Sequence, residues 1–457
     1  MKLIPLLFFL GLTTLHGQSY PFEHLRDLPE DDPGVVYGDR IRRTMHLLST
    51  STAERPNRVK ILFFGQSITR QNYSRKIIEE QLRQEFPHAQ LEVLNTAIGG
   101  YQAPKSLLVM HHTLIPHQPD LVVFHVYGGE NDGTYEDIVR NIRAHTSAEL
   151  ITITHHLDTY GDEVDASRES ASQLRRDLAE TWASESVEVR GNWRRYMEMH
   201  ELERSDFLTD NIHLNAHGGE LWGALQARHF RVLPASESDW TDVVTRVVPG
   251  ADGKLDEIGE SFRLPFDGVR VDVISREGTG RVSVKVDGRE PSGILENWAA
   301  TLPTSTPIDY RPAINRVRLR GEPVAETWTL KVDSCNEDGS EYTYSVRGSV
   351  SGDQGSGDQS TAFQSANGII EIQPEWFAIQ QAIRIKKTAL PVPFEVSWDV
   401  IPTGPDEWDT RPDQANPSGQ TTLVQQLNPG EHVLELELLE GEVSLDEFLV
   451  FRPQTGK

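Results

Sequence analysis

The sequence predicts an α/β domain built on a parallel sheet, followed by an all-β domain. Three observations predict it. From about residue 58 to 230, short apolar runs alternate with amphipathic helical patterns; beyond residue 239 the pattern changes to period-two alternation; and 457 residues exceed one ordinary core. Lys and Arg total 44 against 69 Asp and Glu, a net charge of −25, and a surface this acidic should repel nucleic acid and anionic membranes. A local basic cleft on such a body remains compatible with an acidic substrate. The single cysteine, Cys335, excludes an intramolecular disulfide, so stability has to come from well-filled cores.

Taken in order, the opening "MKLIPLLFFLGLTTLHGQSY" has one basic residue, Lys2, an apolar stretch from Leu3 to Leu12 and small residues near Gly17. It reads as a secretory signal peptide over residues 1–18, with a buried amino-terminal helix as the plainer alternative. The expected location is secreted or periplasmic. No later run has the length of a membrane span. A lead-in segment follows over residues 19–57. Candidate strands are "VKILFF" (59–64), "LEVLN" (91–95), "LVVFHVY" (121–127), "LITIT" (150–154) and a weaker "VEVR" (187–190). Three of these are nearly continuous apolar runs, as in parallel strands covered on both faces. Between them, Tyr73, Ile77, Ile78, Leu82 and Phe86 make one helical stripe and Tyr135, Ile138, Val139 and Ile142 another. The α/β domain is expected over 58–234.

The all-β domain is expected over 240–457. "GVRVDVISREGTGRVSVKVDG" (268–288) reads as a hairpin of half-buried strands, and "HVLELELLEGEVSLDEFLVF" (432–451) repeats the alternation. "SVSGDQGSGDQS" (349–360) reads as an exposed loop. Six of the nine tryptophans lie in this half: Trp240, Trp298, Trp328, Trp376, Trp398 and Trp408. Flat indoles on a sandwich can stack on sugars, but core positions are the favoured expectation for each.

In an open parallel sheet, ligands bind outside the carboxyl ends of the strands. There the first strand ends on Gly65-Gln66-Ser67, the second on "NTAIGGYQ" and the third on "YGGENDG", and "TDNIHLNAHGGELWG" (209–223) precedes a last helix. These ends hold every part that acyl transfer needs. Ser67 can attack, His213 can take its proton, and Asp210, three residues earlier, can reach the other imidazole nitrogen. The Ser67 and Gly100 N–H groups and the Asn131 amide can serve as oxyanion donors. Each has a plainer reading: Ser67 as a turn serine, Asn131 as an Asx-turn residue, Asp210 as a helix cap. The pairs His111-His112 and His155-His156 lack the partners of a metal site, and "GADGKLDE" (250–257) resembles a calcium loop only loosely. No metal and no cofactor is expected.

The ordered set "GQSIT", "NTAIGG", "GEND" and "DNIHLN" resembles the four blocks of the SGNH (GDSL-like) hydrolase family, over roughly residues 58–232. The resemblance implies a flavodoxin-like three-layer α/β/α fold, with Ser67, Gly100, Asn131 and His213 as signature residues and Asp210 completing the triad. Gln66 departs from the family's usual Asp at that position. The chain has no G-x-S-x-G, which argues against an α/β-hydrolase nucleophile elbow. The ends of the second half look similar to jelly-roll-like accessory domains of extracellular carbohydrate enzymes. Together these features imply a secreted serine esterase removing O-acetyl groups from a polysaccharide or oligosaccharide. The alternatives are a lipase, arylesterase or thioesterase for longer acyl chains, and a catalytically silent carbohydrate-binding protein.

Overall fold

A computed structural model describes residues 22–30, 32–250, 256–258 and 261–454. The expected signal peptide and most of the loop at 250–257 lie outside the described residues. Strands β1 (Arg58–Gly65), β2 (Gln90–Asn95), β3 (Leu121–His125), β4 (Glu149–Ile153) and β5 (Glu185–Val187) form a parallel sheet in the order β2-β1-β3-β4-β5. The intervening helices are α1 (Arg42–Ser49), α2 (Ser67–Arg70), α3 (Tyr73–Glu85), α4 (Ala103–Thr113), α5 (Thr134–His145), α6 (Asp162–Thr181), α7 (Val189–His200) and α8 (Ala216–Ala227). The pleat decides the layers. Val59, Ile61 and Phe63 of β1 face α1, α3, α7 and α8, while Leu62 and Phe64 face α4 and α5. The α/β unit is thus the three-layer sandwich that the sequence predicts. Each of these aliphatic or aromatic side chains contributes about 1.5–3 kcal/mol by full burial.

The weak strand expected at 187–190 sits elsewhere. β5 ends at Val187, and Glu188 caps α7 by accepting from the Gly191 N–H. Glu185, a buried carboxylate inside β5, concealed the strand, and it accepts from the N–H groups of Gly38 and Arg40 and from His229 Nδ1. Glu149 and Glu220 hold the lead-in chain in the same way, at Arg43 and Thr44 and at residues 23–25. Three carboxylates satisfy backbone donors that no strand or helix partner reaches. Ile41, Met45 and Leu48 then join the α/β core.

The second half carries two β cores. In the first, β7 (Asp256–Ile258), β8 (Ser261–Asp267), β10 (Arg281–Val286), β19 (Glu407–Asp409) and β21 (Glu431–Glu440) form one sheet; β6 (Val244–Val247), β9 (Arg270–Ile274), β20 (Gln420–Val424) and β22 (Glu447–Phe451) form the other. Both contribute to one apolar cluster. The second core is inserted between β10 and β19, which pair with each other across it. It joins the sheet of β11 (Trp298–Ala300), β13 (Glu326–Cys335), β14 (Tyr342–Gly348), β15 (Gly352–Asp358) and β18 (Phe394–Pro402) to the short strands β12 (Arg318–Leu319), β16 (Phe363–Gln364) and β17 (Ile370–Ile372), with helix α9 (Ile379–Lys386) against them.

Two expectations are corrected. The run 268–288 is no hairpin: β9 and β10 lie in opposite sheets, and every residue of β9 is buried. Both of its faces are covered, so a strand that alternates like a half-exposed one is fully enclosed. The Gly- and Ser-rich run 349–360 is also not a loop, since residues 352–358 form β15, an edge strand on β14. The ladder bonds of an edge strand need no apolar side chains, and the Glu326 carboxylate fastens its turn through the N–H groups of Val350 and Ser351. Five of the six tryptophans of this half are core; Trp240 alone is half-buried.

The halves are tied by buried polar groups. Arg270 donates from Nη1 to the Gln118 carbonyl at 3.0 Å and grips Asp272 through Nε at 2.7 Å and Nη2 at 2.5 Å. Burial opposes the charge of Asp272, but Arg270 and Gln420 outweigh it and hold the carboxyl below its ordinary range. Removing one partner of such a pair strands a buried charge. Arg270→Met is expected to cost about 3–5 kcal/mol in urea unfolding followed by tryptophan fluorescence. Arg263→Met, which breaks an exposed pair with Glu435, is expected to cost about 0–1 kcal/mol in the same measurement.

Candidate active site

The sheet order reverses between β1 and β3, and the crevice at their carboxyl ends is where this topology seats ligands. Ser67 opens the four-residue helix α2 directly after β1. Its Oγ–H points at His213 Nε2 over 3.0 Å, and His213 Nδ1–H donates to Asp210 Oδ2 at 2.7 Å. The other oxygen, Asp210 Oδ1, accepts from the N–H groups of Ile212 at 2.8 Å and His213 at 2.7 Å. Loss of some solvent works against the charge of the exposed Asp210, but those two backbone donors and the imidazole outweigh it and hold the carboxyl at about 2. A carboxylate ionised so firmly fixes the tautomer: the proton stays on Nδ1 and Nε2 is free to accept.

The loop bearing Asp210 and His213 is pinned on three sides. Gln71, one turn beyond Ser67, donates to the Leu214 carbonyl at 2.8 Å and accepts from the Leu214 N–H at 3.2 Å. The Thr209 N–H donates to the His213 carbonyl at 2.8 Å. From below, His156 Nε2 donates to the Ile212 carbonyl at 2.8 Å, while its Nδ1 accepts from the Tyr127 hydroxyl at 3.1 Å. Burial pushes the His156 imidazole down to about 4, so it stays neutral and keeps one donor and one acceptor. Helix α8 fixes the far end of the loop, where a Cβ on Gly219 or Gly223 would come within 2.3 Å of Tyr73 or Ile77. Glycine alone allows that approach to α3.

The remaining expected residues are placed as follows. Gly99 and Gly100 form a turn closed by the Tyr101 N–H on the Ile98 carbonyl at 3.2 Å, with Gly100 at φ +80°. A Cβ on Gly99 would lie 3.7 Å from Ser67 Cβ, so the turn borders the serine. The Gly100 N–H donates to no carbonyl among the described residues. Asn131 sits on the loop after β3 with its side chain exposed. The Asx turn belongs to its neighbour: Asp132 accepts from the Thr134 N–H at 3.0 Å and hydroxyl at 2.7 Å, which leaves the Asn131 amide uncommitted. Gln66 is buried and does not cap α2 with its side chain. Within the histidine pairs, His112 and His156 act as structural ties. His112 joins α4 to the second half through the Ala300 carbonyl and the Val317 N–H, at 2.7 and 3.0 Å. Among the described residues no group of three or more His, Cys, Asp or Glu is placed to hold a metal ion, and no helix is long and apolar enough to cross a membrane.

Several residues at the site have a role that the sequence did not assign. Gln71 was findable, standing four residues after Ser67 in a helical turn. His156, weighed in the sequence only as half of a metal pair, instead ties the loop of His213 from the end of an apolar strand. Tyr310 and Arg311, which reach the Gly99 carbonyl from more than 200 positions away, have no local signal at all.

No protein-family model matches the chain, and no curated protein matches it. Among solved structures, an acetyl xylan esterase is similar at 21% identity over 36% of this chain and 97% of that one, TM-score 0.33. An acetylxylan esterase from Geobacillus stearothermophilus is similar at 17% over 39% and 96%, TM-score 0.34. A two-domain esterase active on acetylated mannans, co-crystallised with mannopentaose, is similar at 12% over 92% and 96%, TM-score 0.32. Likenesses at these TM-scores carry no weight for the site, which stands on its own distances.

Gln71→Met keeps the side-chain volume and removes both bonds to Leu214. At about 0.5–1.5 kcal/mol per bond, exchange of the Leu214 amide hydrogen should accelerate roughly 5- to 150-fold. Amides in the middle of β1 should be unchanged. Equal acceleration in β1 would show that Gln71 supports the whole domain and not this loop.

Proposed function

We propose that this chain is a secreted serine esterase of the SGNH type that removes O-acetyl groups from a polysaccharide or oligosaccharide. The observation that carries the reading is the hydrogen-bonded line from Asp210 through His213 to Ser67, at the crevice where the sheet order reverses. Ser67 Oγ attacks the ester carbonyl as its proton passes to His213 Nε2, and the carbonyl electron pair moves onto oxygen. The N–H groups of Ser67 and Gly100 and the Asn131 amide stabilise that oxyanion. Collapse expels the sugar oxygen, which takes the proton from Nε2 and leaves an acetyl-serine. A water activated by the same imidazole then releases acetate and restores Ser67. Asp210 keeps its charge throughout and stabilises the imidazolium.

Support for a short acyl group comes from the serine's neighbours. Arg70 and Tyr310 border the site as a polar pair, with the guanidinium 3.9 Å above the ring. A fatty chain requires an apolar groove, worth about 0.8 kcal/mol per buried methylene. Support for a sugar substrate comes from the β half seated on the active-site turn. The buried tryptophans offer it no indole faces, so contact with a glycan falls to the residues around that turn.

Purified Ser67→Ala is expected to lose on the order of 10⁶ in turnover of an aryl acetate. The wild type should hydrolyse aryl acetate faster than esters of eight to twelve carbons and release acetate from acetylated polysaccharide. Rising rates with chain length would replace the acetylesterase reading with a lipase one. Undiminished turnover by Ser67→Ala would end both.

A general base has to be unprotonated to work, and Asp210, which stays ionised down to about 2, adds no second proton to that requirement. A plot of log(kcat/KM) against pH should therefore fall with unit slope on its acid side. A slope of two would mean that Asp210 also takes up a proton in that range.

A further inference from the structure

The turn that borders Ser67 is gripped from outside its own domain. We propose that Arg311 and Tyr310, supplied by the inserted β core, are positioning residues that hold the Gly100 N–H toward the oxyanion. This rests on the esterase reading above and assigns to it a component from the other half of the chain.

A turn closed from Tyr101 to Ile98 with φ +80° at its third residue has the form of a type II turn. In such a turn the central peptide stands across the chain, with its carbonyl on one side and its N–H on the other. Here that peptide is Gly99–Gly100. It is planar and trans, so the Gly99 oxygen and the Gly100 hydrogen rotate as one body. Whatever holds the first aims the second.

The first is held firmly. The Gly99 oxygen accepts from Arg311 Nε at 2.7 Å and from the Tyr310 hydroxyl at 3.1 Å. Arg311 is itself braced by Asp309, 2.7 Å from Nη1 and almost fully buried. The Tyr310 ring is braced by Arg70 of α2, one turn from the nucleophile. A further bond, 2.5 Å from the Tyr101 hydroxyl to Asn315 Oδ1, fastens the next residue of the turn to the same β segment. The glycines leave room for this grip: a Cβ on Gly99 would stand 2.5 Å from the Tyr310 oxygen, and one on Gly100 2.8 Å from Arg311 Nη2.

Two Gly residues in sequence make the least restrained peptide a chain can offer. If it flips, the carbonyl oxygen replaces the N–H at the face beside Ser67, and an acceptor meets the developing negative charge. A charge-assisted bond to the oxygen opposes that flip and is about twice as strong as a neutral one. It also polarises the peptide, which makes its N–H a better donor. The β half therefore completes the site electrostatically, without touching the reacting atoms.

The test uses the full-length protein and an aryl acetate, a substrate too small to reach a glycan subsite. Active serines are counted by titration with a phosphonylating reagent, so kcat refers to competent sites. Arg311→Met is expected to lower kcat about 10- to 100-fold with KM within about threefold, short of the 10²–10³ for deleting a donor outright. Tyr310→Phe, which removes one hydroxyl, should lower kcat about 2- to 10-fold by the same logic. Added methylguanidinium should restore part of the turnover of Arg311→Ala. Unchanged kcat in Arg311→Met, or a rise in KM alone, would overturn the proposal while Ser67→Ala remains inactive. An active Ser67→Ala would overturn the esterase reading and this proposal together.

Discussion

Everything at the site follows from the reversal of strand order between β1 and β3. Parallel strands laid down outward from β1 in both directions send their helices to opposite faces, so the carboxyl ends of the two central strands share an uncovered crevice. The turn after β1 places Ser67 there, and the loop after β3 places Asn131 there. The histidine arrives from a different direction, on a loop leading into α8, and has to be held in register with a strand it does not belong to. That is why so many bonds converge on residues 209–215. Gln71, His156 and the backbone around Asp210 each satisfy a polar group of a loop that no ladder could satisfy.

A second theme is the use of ionisable side chains as fixed struts. Glu149, Glu185 and Glu220 receive backbone donors from the lead-in chain, and His112 and His156 each bridge a hydroxyl or N–H to a carbonyl. A neutral imidazole presents one donor and one acceptor at a fixed angle, and burial keeps it neutral. Such groups are costly where unpaired and specific where paired, so they hold loop geometry in a way that apolar contacts, which tolerate sliding, do not.

The β half is therefore more than an appended module. One of its cores is inserted into the other, and the inserted core reaches the α/β unit through His112, Tyr101 and the Gly99 carbonyl. The turn that borders Ser67 is contacted from both halves. The bidentate grip of Arg270 on Asp272, with its third bond to the Gln118 carbonyl, secures the same seam at the opposite end of the sheet.

Local chemistry was legible before any coordinates. Continuous apolar runs announced buried parallel strands, their ends announced where chemistry could occur, and the three-residue interval from Asp210 to His213 announced a carboxylate within reach of the imidazole. All of these depend on neighbours a few positions apart. Alternation in 268–288 told which side chains share a face, yet it could not say which strand lies alongside, and β9 and β10 went to opposite sheets. Glycines in 352–358 hid a strand whose ladder on β14 is made by the main chain. Glu185 hid another, because its burial is compensated by donors far away in the chain. The grip of Arg311 and Tyr310 on Gly99 belongs wholly to the tertiary structure, since a contact spanning more than 200 residues leaves no periodicity, no spacing and no composition to read.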